Sequence, residues 1–153
     1  MLREGDQAPS FFGRTHDGSE VRLEDYAGKQ NVVLYFYPKD FTPVCTQEAC
    51  MFRDAHEELA AADTVVIGVS LDDALSHGRF TQEHRLNFVL LADSDRSISN
   101  AYGALGLLGG LLNLAKRVTF VIDKQGIVRR VFRSELSASK HLDEVRSALR
   151  TLA

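Results

Sequence analysis

The chain has 153 residues, 44% of them apolar and 25% charged, which is ordinary globular composition. Its 18 Lys and Arg against 21 Asp and Glu leave a net charge of −3, so no basic excess favours nucleic acid as a partner. The longest apolar run, near Leu105–Ala115, is shorter than the roughly 18 residues of a membrane span, and Met1–Asp6 carry no apolar signal core, so a cytoplasmic protein with no membrane partner is expected.

In chain order, Phe11-Phe12, a turn at Asp17-Gly18, and then Val21 and Leu23 predict an N-terminal β-hairpin. Asn31–Tyr37 is a continuous run of β-formers, suited to a central strand buried on both faces. A helix is expected from Pro43 to Ala61, a second buried strand over Thr64–Leu71 and a polar helix over Asp73–His84. Phe88–Ala92 reads as a short strand and Ser97–Tyr102 as a helical turn. Arg117–Asp123 and Gly126–Arg133 form a hairpin across Lys124-Gln125, with Val118, Phe120 and Ile122 alternating toward a core. The last helix carries Leu142, Val145, Leu149 and Leu152 on one apolar stripe. This order predicts an α/β fold: a central mixed sheet, helices on both faces and an N-terminal β-hairpin. No linker or shift of composition divides residues 1–153, so a single domain is expected.

Two cysteines, Cys45 and Cys50, are too few for a disulfide framework. The five histidines, at positions 16, 56, 77, 84 and 141, are scattered and make no zinc-binding pattern, so neither a metal nor a cofactor is expected. Count alone would leave both cysteines as small buried hydrophobes. The position of Cys45 changes that reading. The strand Asn31–Tyr37 ends at Pro38, and the carboxyl ends of strands are where α/β sheets gather catalytic groups. Thr42-Pro43 is a helix start, with Thr as N-cap and Pro at the first helical position. Cys45 is then the third helical residue, where unpaired N–H groups and the positive end of the helix dipole favour a thiolate, the nucleophilic form.

Helical phase groups Cys45 with Ala49, Phe52 and Leu59 on an inward stripe. Burial there opposes charge, so a cation must win the contest. Arg117, which opens a later strand, is the best distant candidate; Lys39 and Arg53 are nearer in sequence but have no direction fixed by it. Five residues along the helix, Cys50 is roughly 8–9 Å from Cys45 between Cα atoms, beyond the reach of a disulfide at about 7 Å. A bridge would require the first turns to unwind. A merely structural Cys50 requires no unwinding, and helix geometry leaves both options open.

Pro38-x-x-x-Thr42-x-x-Cys45, continued by Thr46-Gln47-Glu48-Ala49-Cys50-Met51-Phe52-Arg53-Asp54, resembles the peroxiredoxins, and among them the bacterioferritin comigratory protein or Q-type branch. Arg117-Val118-Thr119-Phe120-Val121-Ile122-Asp123 is similar to the family's second block, and Gly5-Asp6-Gln7-Ala8-Pro9-Ser10-Phe11 to its start. The resemblance spans essentially the whole chain. It implies a thioredoxin-like fold and a thiol peroxidase acting on hydrogen peroxide and organic hydroperoxides. By match, Cys45 is the peroxidatic thiol that becomes a sulfenic acid. Arg117 matches the cation that favours the thiolate and holds the peroxide oxygens. Thr42 matches a hydroxyl that contacts sulfur and peroxide, although a pure N-cap would aim it at the Cys45 N–H. Pro38 matches a shield against water. Glu48 matches an acid that orients the arginine, with a favourable first-turn helix charge as the plain alternative. Arg53 is also a match, or a surface charge. Cys50 matches a resolving cysteine that closes an intramolecular disulfide, and thioredoxin or a glutaredoxin-like dithiol is the implied reductant.

One stretch departs from the family. Residues 104–115 are apolar and glycine-rich where a more polar, aromatic loop is usual. Leu107, Leu108, Leu111 and Leu112 would share one helical face, for core packing or for an exposed patch that takes a dimer partner or hydrophobic peroxides. The expectation is a monomer or weak homodimer through Leu105–Leu114. Two competing readings remain, a thioredoxin-fold protein disulfide reductase and a redox sensor. The absent Cys-x-x-Cys counts against the first, and turnover separates both from a peroxidase.

Overall fold

The computed structural model describes residues 2–106 and 114–152. Its elements, in order, are β1 (Phe12–Arg14), β2 (Glu20–Arg22), a 3-10 turn (Leu23–Tyr26), β3 (Asn31–Phe36), α1 (Pro43–Asp54), α2 (His56–Ala61), β4 (Thr64–Ser70), α3 (Ala74–His84), β5 (Val89–Ala92), α4 (Ser97–Ala101), β6 (Val118–Ile122), β7 (Val128–Arg133) and α5 (Ala138–Leu152). β1 and β2 pair antiparallel as the expected hairpin, and Gly18, with φ of 87°, supplies the left-handed turn residue. The other strands form one sheet in the order β5-β4-β3-β6-β7. β3, β4 and β5 run parallel, while β6 runs antiparallel to both β3 and β7.

β3 is the middle strand, and every residue of it is buried. Its side chains alternate between two apolar layers. Val32, Leu34 and Phe36 meet Phe120 and Ile122 on one face, while Val33 and Tyr35 meet Phe52, Leu59 and Val145 on the other. Burial on two faces is why the run shows no polar alternation. The first layer is covered by Ala8, Phe11 and Val21 around the hairpin and by Ile98 and Tyr102 around α4. The second is covered by α1, α2 and α5, with Phe80 from α3. Helices therefore lie on both faces, but one face is mostly hairpin. In β6, Thr119 and Val121 are buried along with the alternating Val118, Phe120 and Ile122, because Val121 joins the apolar layer of α1 and α5 and Thr119 meets His141 of α5.

Three local expectations are corrected. The single helix over 43–61 is interrupted at Ala55, whose φ of −88° and ψ of 5° divide α1 from α2. Several elements stop a residue early, as at Phe36 and Ser70. Thr42 has the extended backbone of an N-cap, but its side chain makes no capping bond. Asp73 does cap: it accepts from the Ser76 N–H at 2.9 Å at the start of α3. The α5 stripe is as expected, with Leu142, Val145 and Leu149 buried and Leu152 packed against the same layer. Between β3 and α1, Phe41 adopts a left-handed φ of 68° and packs edge-on against Phe80, ring centroids 5.1 Å apart. Leu107, Leu108, Leu111 and Leu112 lie outside the described residues, while their flanks Leu105 and Ala115 pair as an antiparallel bridge. Among the described residues, no helix is long and apolar enough to cross a membrane.

Candidate active site

Antiparallel pairing of β3 with β6 sets Phe36 opposite Val118. The residue before Val118 therefore arrives where β3 gives way to Pro38 and the loop into α1. That residue is Arg117. Its Nη2 donates to Cys45 Sγ at 3.2 Å, and its Nη1 donates to Glu48 Oε1 at 2.9 Å. Cys45, Glu48 and Arg117 are all buried, with 1%, 1% and 4% of their surfaces exposed, so little water screens their charges. Glu48 follows Cys45 by three residues and shares its helix face, which lets one guanidinium reach both. The inward stripe of Cys45, Ala49, Phe52 and Leu59 is buried throughout.

Arg117 is itself held from behind. Its backbone N–H donates to Glu135 Oε1 at 3.0 Å and its Nε to the Glu135 carbonyl at 3.3 Å. Burial works against its charge, but Glu48 and then Cys45 outweigh burial and hold the guanidinium above its ordinary value. For Glu48 burial wins: it pushes the carboxyl up to about 7 against the pull of Arg117. Among the described residues, Glu48 Oε2 has no hydrogen-bond partner. It lies 3.6 Å from His141 Nδ1, too far for a hydrogen bond. His141 Nε2 contacts the Ser134 carbonyl at 2.9 Å and must donate there, because a carbonyl only accepts. Nδ1 is then the acceptor for the Thr119 hydroxyl at 2.7 Å. Burial first, and Arg117 after it, push His141 down, which favours this neutral tautomer.

At the loop, Pro38 is half-buried immediately after Tyr37, and Lys39 is exposed. The Thr42 hydroxyl donates to the Lys39 carbonyl at 2.7 Å, so its proton is spent inside the turn and its lone pairs remain open. Thr46 N–H donates to Thr42 O at 2.9 Å, closing the first turn of α1. The N–H groups of Val44 and Cys45 have no acceptor earlier in the helix. Asp40 fixes the middle of the loop. It accepts from the Tyr37 hydroxyl at 2.6 Å and the Ser76 hydroxyl at 2.8 Å, and it contacts His77 Nδ1 at 2.7 Å. Asp40, Asp72 and His77 lie close enough together to hold a metal. Their polar atoms are already engaged, Asp72 by Ser70 and the Asp40 N–H, and His77 also by the Leu91 carbonyl. The cluster serves as an anchor between the loop and α3.

Both cysteines are free, Cys45 buried and Cys50 half-buried. Both lie on the intact α1, so the helix spacing that keeps them apart applies. Cys50 faces α3, with its Sγ 3.9 Å from His84 Nδ1. Arg53 turns away from Cys45 and donates from Nη1 to the His84 carbonyl at 2.7 Å. The structure thus joins Cys45, Glu48 and Arg117 directly, with Pro38 and Thr42 on the adjoining loop and Cys50 on the opposite flank of the helix. Glu135, Thr119, His141 and His84 complete this setting and are not among the residues expected at the site. Thr119 carried a signal as part of the family's second block, and His141 carried one as a histidine beside the apolar stripe of α5.

The sequence profile of the AhpC/TSA family matches residues 4–131. A chloroplastic peroxiredoxin Q from Suaeda salsa is 40% identical over 151 residues, covering 99% of this chain and 69% of that protein. Peroxiredoxin Bcp from Bacillus subtilis (strain 168) is 43% identical over 151 residues, covering 97% of this chain and 93% of that protein. The crystal structure of peroxidoxin BcpB from Mycobacterium tuberculosis superposes with a TM-score of 0.91 at 35% identity, covering 100% of this chain and 99% of the other. The bacterioferritin comigratory protein of Xanthomonas campestris, solved as trapped intermediate and ligand complexes bearing on alkyl peroxide reduction, gives a TM-score of 0.83 at 28% identity, covering 93% and 91%. With its thioredoxin-like sheet and a buried thiol under an arginine, the chain belongs to the AhpC/TSA family as a peroxiredoxin of the Q/Bcp type, a thiol peroxidase.

Proposed function

We propose that Cys45 is the peroxidatic thiol and Cys50 the resolving thiol of this enzyme. The observation that carries the reading is the 3.2 Å contact from Arg117 Nη2 to Cys45 Sγ at the start of α1. A permanent planar cation there favours the thiolate in the ground state and the leaving oxygen as charge develops. The thiolate attacks one peroxide oxygen and the O–O bond breaks. Cys45 becomes a sulfenic acid, and water or an alcohol departs after taking up a proton. The N–H groups of Val44 and Cys45, which have no acceptor earlier in the helix, and the Thr42 hydroxyl oxygen supply polar partners for the peroxide. Pro38 limits water at the sulfur, and Glu48 orients the guanidinium. The first turns of α1 then unwind, Cys50 attacks the sulfenic sulfur, and an intramolecular disulfide closes.

A thioredoxin-like dithiol returns the protein to its free-thiol form. Such a cycle requires a reducing compartment, which supports the cytoplasmic setting. Hydrogen peroxide and organic hydroperoxides are both proposed substrates. The single-domain organisation and a monomer or weak homodimer belong to the same proposal.

The test is peroxide consumption with a thioredoxin system in wild type, Cys45→Ser and Cys50→Ser. Cys45→Ser is expected to lose turnover. Cys50→Ser is expected to reduce one equivalent of peroxide and stop at the sulfenic acid. Turnover that survives in Cys45→Ser would overturn the assignment.

A further inference from the structure

Cys50 has a defined polar neighbourhood of its own, distinct from that of Cys45. α3 ends at His84, and Cys50 Sγ lies 3.9 Å from His84 Nδ1, the outer reach of a thiol hydrogen bond. The ring is held in place: Phe80 packs edge-on against it at 5.1 Å, and Phe41 flanks it at 6.4 Å. The backbone is fixed as well, because His84 O accepts from Arg53 Nη1 at 2.7 Å. Arg53 belongs to α1, three residues beyond Cys50, so this bond ties that end of α1 to α3. Asn87 adds a second tie, with Nδ2 donating to the Arg53 carbonyl at 3.1 Å. Asp54 first, and the Cys50 side chain among the lesser causes, hold the Arg53 guanidinium above its ordinary value. The C-terminal half of α1 is therefore pinned beside His84, while the N-terminal half is attached through Cys45 and Glu48 to Arg117. When the first turns open, Cys45 travels and Cys50 stays.

We propose that His84 is a catalytic base for disulfide closure, taking the Cys50 proton as its sulfur attacks the Cys45 sulfenic acid. The inference rests on the reading of Cys50 as the resolving thiol. The Cys50 S–H proton passes to His84 Nδ1, and the freed electron pair forms the bond to Cys45 sulfur. The Cys45 S–O bond breaks, and hydroxide leaves as water with the proton from the imidazolium. Cys50 is oxidised, the sulfenic sulfur is reduced, and no further reagent is consumed. The C-terminal end of α3 presents the negative pole of its dipole, which suits the transient imidazolium. A 3.9 Å separation in the resting enzyme is compatible with a base that tightens onto its proton during reaction.

The test is rapid-quench single turnover with hydrogen peroxide. It follows the Cys45 sulfenic acid by dimedone trapping and the Cys45–Cys50 disulfide by mass. Wild type, His84→Gln, His84→Ala and Cys50→Ser are compared. In both His84 variants, disulfide closure is expected to slow by about tenfold. Sulfenic acid formation is expected to keep the wild-type rate, which also reports an intact fold. Sulfinic acid is expected to accumulate at high peroxide, because a longer-lived sulfenic acid meets a second peroxide. Added imidazole is expected to restore closure in His84→Ala, a rescue that a purely structural role would not give. Closure at the wild-type rate in His84→Gln, or slow closure in His84→Ala that imidazole leaves slow, overturns the inference while Cys50 keeps its role. Absence of a Cys45–Cys50 disulfide in wild type overturns the reading of Cys50 itself.

Discussion

Cys45 is buried against a permanent cation and a carboxyl group, whereas Cys50, five residues along the same helix, is half-buried beside an imidazole. The surroundings suit two different duties. An attacker that meets peroxide at any moment must already be a thiolate, and a guanidinium cannot be titrated away. A resolver is needed only after oxidation, and a base that takes the proton during closure suits that duty. The attachments differ in the same sense. Cys45 is held by charge to a strand end, and Cys50 lies on a helix half fastened by Arg53 to the end of α3 and by Asn87 to the segment that follows it.

The largest effect that can break this contrast is at Arg117. Arg117→Met is expected to slow sulfenic acid formation by about a hundredfold, measured by stopped-flow peroxide loss. Closure of a disulfide already poised as sulfenic acid should change far less. Equal slowing of both steps would erase the distinction between the two thiols. Arg117→Lys should recover only part of the loss, since an ammonium does not span Cys45 and Glu48 as a planar fork does.

Glu48→Gln probes the charge balance with a smaller effect, about tenfold on the first step. It also carries a stability signature. Burial raises the Glu48 carboxyl from 4.5 to about 7, so the folded state holds a proton that the unfolded state releases across that window. Its contribution is therefore fully present below the lower value and is lost as pH rises through about 7. Urea midpoints of the reduced wild type should fall over that window, and those of Glu48→Gln should stay flatter. A wild-type profile as flat as that of the variant would place the carboxylate, not the acid, beside Arg117. Smallest of the three, Arg53→Ala removes the bond to the His84 carbonyl and is expected to cost about 1 kcal/mol by urea denaturation. It should slow closure modestly while peroxide attack keeps its rate.

Much of the site follows from local pattern. Thr42-Pro43 marked the start of α1, and the spacing of Cys45, Ala49, Phe52 and Leu59 marked its inward face. The continuous run from Asn31 marked the strand that delivers the loop. Arg117 was reachable through the family's second block, and its arrival beside the end of β3 depends on the β3–β6 register, which no local pattern encodes. Glu135, Thr119, His141 and His84 come from elements far along the chain, so only the folded topology unites them with their thiols. The interruption at Ala55 was illegible for a different reason. Alanine is the best helix former, and a break at such a residue comes from tertiary packing rather than from propensity. The cap at Thr42 failed because the tight turn from Lys39 offered its hydroxyl a carbonyl before the helix N–H groups could claim it.

The left-handed backbone of Phe41 has a mechanical consequence for the catalytic cycle. A non-glycine residue in that region carries about 1–2 kcal/mol of conformational cost, maintained only while the loop and α1 hold their register. In the proposed cycle, unwinding of the first turn would free Phe41 to return to an ordinary extended geometry. The reduced enzyme is thus a cocked spring whose release lies in the direction of disulfide closure. Phe41→Gly removes that strain and Phe41→Ala loses the same ring contacts while keeping it, so amide exchange across Val44–Met51 in the reduced protein is expected to be slower in Phe41→Gly than in Phe41→Ala, and equal or faster exchange would count against the stored tension.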